Sequence, residues 1–115
     1  MKKVVLVAFN SEFMCFVHIL LNALDMEARG FDVKIVIEGA ATALIPELTR
    51  EGNPMYSFYK KVKEKELIHA VCWACATKMQ TLWAVEKEGL PLGDEMGGHP
   101  SLAAYMEQGY EVITF

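Results

Sequence analysis

Lys3-Val4-Val5-Leu6-Val7-Ala8-Phe9 is an unbroken β-branched and apolar run, the pattern of a strand buried on both faces. Asn10 or Ser11 can cap a helix after it, with Glu12 well placed near the positive end. From Phe13 to Arg29 two stripes separate at helical spacing. Phe13, Val17, Leu20, Leu24 and Ala28 form the apolar one; Ser11, Cys15, His18, Asn22, Asp25 and Arg29 form the polar one. Gly30 ends the helix, and Phe31 to Ile37 is a second buried strand. A strand, a helix and a buried strand in succession predict parallel pairing with helical cover.

The rest of the chain extends the pattern. Ala40 to Arg50 is helical in composition, with Pro46 forcing a kink or restart. Met55 to Glu66 makes a third helix whose buried side is Met55, Phe58, Tyr59 and Val62. Leu67 to Cys72 is a third strand, and Thr77 to Glu88 a fourth helix burying Met79, Leu82 and Trp83. A short fifth strand is expected near Leu90–Leu92, followed by an irregular loop from Asp94 to His99. Pro100 opens the last helix, Gly109 closes it, and Glu111 to Phe115 is the final strand. The fold expected is a single α/β domain over residues 1–115, a three-layer α/β/α arrangement on an open, mainly parallel sheet of four to five strands.

Composition narrows the function. With 115 residues, 53% hydrophobic and 23% charged, the chain is globular and one domain long. Eleven basic against 15 acidic residues provide no nucleic-acid footprint. The opening apolar run is too short for a signal-peptide core, and Phe13 to Leu24 is interrupted by His18 and Asn22, so no membrane span is expected. Three cysteines do not suit a secreted disulfide framework, which makes the expected location cytoplasmic. No nucleotide-binding glycine motif is present, and no cofactor is expected.

In an open α/β sheet, ligands bind outside the carboxyl ends of the strands. Cys72 and Cys75 lie at the exit of the third strand, Cys15 just after the first, and His99 at the start of the last helix. All four therefore belong to one edge of the sheet. A thiol at a helix amino terminus meets unpaired N–H groups that lower its pKa, and the thiolate is the species that attacks a disulfide or persulfide. A C-x-x-C pair also fits metal binding, a redox couple, or two small hydrophobes packed at a strand end. Zinc would need further ligands, and none of His69, His99, Asp94 or Cys15 stands at a diagnostic spacing, so no metal is expected. His69, one residue off the parity of Cys72, should point to the other face as a structural histidine. In the loop 93–99, Gly97 and Gly98 permit close backbone approach, and His99 can donate a proton or contact an anion.

Taken in order, Glu38-Gly39-Ala40-Ala41-Thr42, Asn53-Pro54, Val71-Cys72-Trp73-Ala74-Cys75-Ala76, Asp94-Glu95-Met96-Gly97-Gly98-His99-Pro100 and Gly109-Tyr110-Glu111-Val112-Ile113-Thr114-Phe115 resemble the DsrE/DsrF-like family of small sulfur-relay proteins. The resemblance implies a compact parallel α/β fold, homo-oligomers, and a cysteine that carries sulfane sulfur as a persulfide between donor and acceptor proteins. Cys72 matches that cysteine's position best, with Cys75 near it. Relatives place Arg-Gly or Gln-Gly in the following helix, where this chain reads Met79-Gln80-Thr81. The expected site is thus Cys72 and Cys75 as catalytic thiols, with Cys15, Gly97, Gly98 and His99 around a substrate. The expected activity is that of a sulfurtransferase or carrier. A non-catalytic oligomeric binding module and a thiol redox or metal-binding protein are the alternatives.

Overall fold

In a computed structural model describing residues 1–115, five parallel strands form one sheet in the order β4-β3-β2-β1-β5. The strands are β1 (Lys3–Ala8), β2 (Asp32–Ile37), β3 (Ile68–Cys72), β4 (Leu92–Gly93) and β5 (Glu111–Thr114). Each lies within a residue or two of its expected place. The helices are α1 (Phe13–Ala28), α2 (Ile45–Leu48), α3 (Tyr56–Glu64), α4 (Trp73–Lys78), α5 (Leu82–Glu88) and α6 (Leu102–Glu107). A 3-10 segment, Gly39–Leu44, precedes α2, and Pro46 stands in the first turn of that helix as the restart expected there.

The two faces of the sheet are covered unequally. One carries a core of 22 buried residues drawn from alternate strand positions, such as Val4, Leu6, Ile35 and Ile37, and from α1 to α5. The other has six, with Tyr105 of α6 and Tyr110 lying over Val5, Val7, Val36 and Ala70. The result is the α/β/α layering read from the sequence, with α6 as the helix of the thinner layer.

Three local expectations are corrected. In α1 the fully buried residues are Phe16, Ile19, Leu20 and Ala23, so the inward stripe is turned from the expected one: of that set Leu20 is fully buried, while Phe13 and Leu24 pack partly buried at the edge of the same core. The helix is apolar around much of its circumference, and docking selects among several stripes at i, i+3, i+4, i+7 spacing. Burying each of Phe16, Ile19 and Leu20 stabilises by about 1.5–3 kcal/mol. The fourth expected helix is two: α4 begins earlier, at Trp73, and the chain breaks at Met79–Thr81 before α5. Ala84 and Val85 are buried in place of Met79 and Trp83, which are exposed. Finally, Pro100 is buried ahead of the last helix, and Ser101 is the cap, accepting the Ala104 N–H at 3.3 Å.

Candidate functional site

Cys72 is the last residue of β3 and also the N-cap of α4. Its Sγ occupies the place a serine or aspartate oxygen usually takes, accepting the Cys75 N–H at 3.2 Å. The spacing follows from helix geometry: the cap sulfur reaches the N–H three residues on, which belongs to the second cysteine. The β3 strand is continuous with this turn, so Cys72 is fully buried while Cys75 is half-buried.

His99 is supplied by the loop after β4. That loop is closed on itself by paired backbone bonds, Met96 N–H to His99 O at 2.8 Å and His99 N–H to Met96 O at 3.1 Å. It is fastened to α4 where the Ala74 N–H donates to Gly98 O at 2.9 Å. The imidazole Nδ1 then lies 3.0 Å from Cys72 Sγ and 3.6 Å from Cys75 Sγ. The structure thus brings Cys72, Cys75 and His99 together, with all three ligand-capable atoms within 4.8 Å of one another.

Cys15 does not join them. It sits half-buried on α1, outside both this cluster and the cleft beside it. Gly98 takes part through its backbone carbonyl, at φ +95°, while Gly97, at φ +59°, belongs to the same loop without touching the three side chains. His69 bonds through Nδ1 to the Tyr105 hydroxyl at 2.5 Å. The sequence parity put it on the face away from Cys72, but a bulge in β3 interrupts the alternation. Ile35 pairs with Ile68 and Val36 with Ala70, leaving His69 as the extra residue, turned toward Tyr105 on the face of Ala70.

Glu38 is the residue that sequence reasoning missed. It follows β2, is 7% exposed, and by the pairing of Ile37 with Val71 stands level with Cys72 on the neighbouring strand. Burial raises its carboxyl pKa, and the nearby His99 pulls it back. The available signal was an acid directly after a buried strand, at the sheet edge where the cysteines were already placed.

Two opposing effects act on the Cys72 thiol. Burial, the larger, pushes it up to about 12, aided by the neighbouring Cys75 thiol and the negative field of Glu38. The Cys75 N–H lowers it, as expected of a helix start, but does not overcome desolvation. Cys72 is therefore a neutral thiol in this pocket. Cys75 instead lines a cleft of about 390 Å³, together with His99, Ala74, Lys78 and Met79 and the turn Gly39–Ala40. Trp73 is exposed on the first turn of α4, and Met79 stands half out of the cleft wall.

The arrangement is that of an α/β protein with a paired-thiol and imidazole cluster at the carboxyl edge of its sheet. No protein-family model matches the chain. It is 35% identical over 96 residues to the uncharacterized protein MJ0733 of Methanocaldococcus jannaschii, covering 84% of this chain and 76% of that one. The chain belongs to the family of that protein. An uncharacterized protein of Archaeoglobus fulgidus is 37% identical over 59 residues, 51% of this chain and 95% of its own length. A conserved protein of unknown function, BT1422 of Bacteroides thetaiotaomicron, matches in structure with a TM-score of 0.73 over 99% of this chain and 95% of that one. At 14% identity that likeness establishes the fold.

No helix is long and apolar enough to cross a membrane.

Proposed function

We propose that the protein handles sulfane sulfur and that Cys75, rather than Cys72, is the thiol that accepts it. The observation that carries this reading is the position of Cys75: half-buried, lining an open cleft, with an imidazole nitrogen 3.6 Å from its sulfur. His99 takes the Cys75 proton, and the thiolate attacks the outer sulfur of a donor persulfide. The donor's sulfur–sulfur bond breaks as a new one forms on Cys75, and the donor leaves as a thiolate. No outside oxidant is consumed. Cys72 then lies behind the loaded sulfur as a second thiol, and the glycine turn with His99 forms the wall opposite. The motif order shared with the DsrE/DsrF-like proteins supports the same reading, with the carrier role moved from the position matched first to its neighbour.

The reading includes a homo-oligomer in a reducing, cytoplasmic setting. Its support is the number of large apolar side chains left exposed, among them Met14, Trp83 and Met106.

The test is intact-mass spectrometry of the reduced, chelator-treated chain after exposure to a low-molecular-weight persulfide, followed by peptide mapping. One added sulfur per chain on the peptide holding Cys75, lost in Cys75→Ser, is expected. Absence of the gain in the unsubstituted chain overturns the sulfur reading. A gain mapped to Cys15 overturns the assignment of the site, and a gain surviving Cys75→Ser but lost in Cys72→Ser returns the role to Cys72.

A further inference from the structure

We propose that Cys72, Cys75 and His99 form a binding site for one zinc(II) ion per chain, with the fourth coordination position facing the cleft. Two sulfurs and an imidazole nitrogen are the donor set that favours zinc over the hard, oxygen-seeking cations. Their convergence brings together two separate parts of the chain: the continuous β3–α4 junction, which supplies both cysteines, and a loop closed on itself and bonded to that helix, which supplies His99.

The distances fit. Bonds of about 2.3 Å to sulfur and about 2.0 Å to nitrogen, at tetrahedral angles, separate a sulfur and a nitrogen ligand by about 3.6 Å. The Cys75–His99 separation is 3.6 Å. At 3.0 Å the Cys72–His99 pair is closer than that; it must open by about half an ångström to reach the zinc geometry.

The surroundings favour a cation. Glu38, buried level with Cys72 on the adjacent strand, places a carboxyl group beside the cluster. The Cys75 N–H already points at Cys72 Sγ, the kind of N–H to sulfur contact that stabilises a coordinated thiolate. With three protein ligands the ion keeps one position for a water or small donor, the arrangement of zinc sites that act on ligands. The cleft of about 390 Å³ lies on that side, since Cys75 and His99 both line it. Each thiol releases its proton to solvent as its zinc–sulfur bond forms.

This inference goes beyond the sulfur reading and does not depend on it. Zinc held by both sulfurs withholds them from a persulfide donor, so the two states exclude each other on one site.

The experiment uses the full chain, reduced and stripped of metal by a chelator that is then removed. Zinc is added and counted by native mass spectrometry, its affinity is measured against a chromogenic chelator, and cobalt(II) is used as a spectroscopic stand-in. One zinc per chain is expected, with cobalt showing thiolate charge-transfer bands and a tetrahedral visible spectrum. His99→Ala and Cys75→Ser, both at half-buried positions and checked for folding by circular dichroism, should each weaken binding more than about 100-fold, beyond what changes behind metal ligands cost. His18→Ala, an exposed histidine on α1, should leave affinity unchanged. Failure to hold a stoichiometric zinc overturns the proposal, as does an octahedral cobalt spectrum without thiolate bands. Equal loss in His18→Ala also overturns it. A chain that takes no zinc but gains one sulfur on Cys75 rejects this inference alone; zinc binding without the sulfur gain rejects only the sulfur reading.

Discussion

Gly98 shapes the site by lacking a side chain. Its φ of +95° is one that L-residues rarely adopt, and a Cβ there would lie 3.2 Å from Ala74 Cβ and 3.3 Å from the Trp73 ring. Both neighbours belong to the first turn of α4, so the clash would push the loop off the helix that carries Cys75. The bond from Ala74 N–H to Gly98 O would lengthen, and His99, the next residue, would move away from both sulfurs. Gly98→Ala is expected to cost about 1–3 kcal/mol of stability, from backbone strain and crowding together. Urea unfolding would measure that loss, and residue-resolved iodoacetamide labelling would show Cys75 reacting more slowly without its imidazole. Unchanged stability and unchanged labelling would show that the loop accommodates a side chain there and that Gly98 does not set the geometry.

The helix ends follow one rule that the sequence displays only in part. Five helices close with paired backbone bonds to the last turn, in which one residue takes the left-handed conformation. At α1, α5 and α6 that residue is Gly30, Gly89 or Gly109; at α3 and α4 it is Glu66 at φ 56° and Gln80 at φ 60°. The glycine stops at Gly30 and Gly109 were legible, and so were β1 and β2, because each is a dense apolar run with a polar or glycine turn after it. The break at Gln80 was not, since glutamine is a good helix former and nothing local announces a stop. Tertiary contacts impose it: Thr81 N–H reaches Ala76 O, and the buried Thr81 hydroxyl donates to Thr42 O at 2.9 Å, docking the break onto the 3-10 segment. The placement of Cys72, Cys75 and His99 at one edge was legible from the alternation of strands and helices, which put Cys15 there as well. The exclusion of Cys15, the bulge that turns His69, and the approach of Glu38 depend on register and rotation, which hydrophobic spacing does not encode. The rule at helix ends carries a prediction. Gln80→Gly should raise stability by about 0.5–1 kcal/mol, because relief of left-handed strain outweighs the added freedom of the unfolded chain. A lower urea midpoint in that variant would mean the Gln80 side chain contributes contacts that outweigh its strained backbone.

Across the whole molecule, three buried tyrosines join elements distant in sequence, and they make stability sensitive to alkali. Tyr59 of α3 donates to Glu88 of α5 at 2.5 Å, and Tyr110 donates to Asp32 of β2 at 2.6 Å. Tyr105 of α6 pairs with His69 of β3. Burial is the main cause that raises each phenol, to about 12 for Tyr105 and Tyr110 and further for Tyr59; carboxylates nearby add to it. The sign follows from proton counts. Above the unfolded phenol value of about 10 the unfolded chain loses these protons while the native state keeps them, so stability falls as pH rises. Below that value the contribution is fully present. Cys72 adds an earlier step in the metal-free protein, because its thiol, pushed up to about 12, stays protonated in the native state. The unfolded thiol ionises from about pH 8.5. Urea midpoints measured in the presence of chelator should therefore begin to fall near pH 8.5 and fall more steeply above about pH 10. Tyr110→Phe should make the upper part of the curve less steep while leaving the lower part in place, since it removes one of the three phenol ionisations and leaves that of Cys72. A midpoint flat to pH 11, about one unit above the unfolded phenol value, would mean that the native phenols ionise as easily as unfolded ones. The hydroxyl bonds that tie α3 to α5 and β2 to the start of β5 would then add nothing to stability.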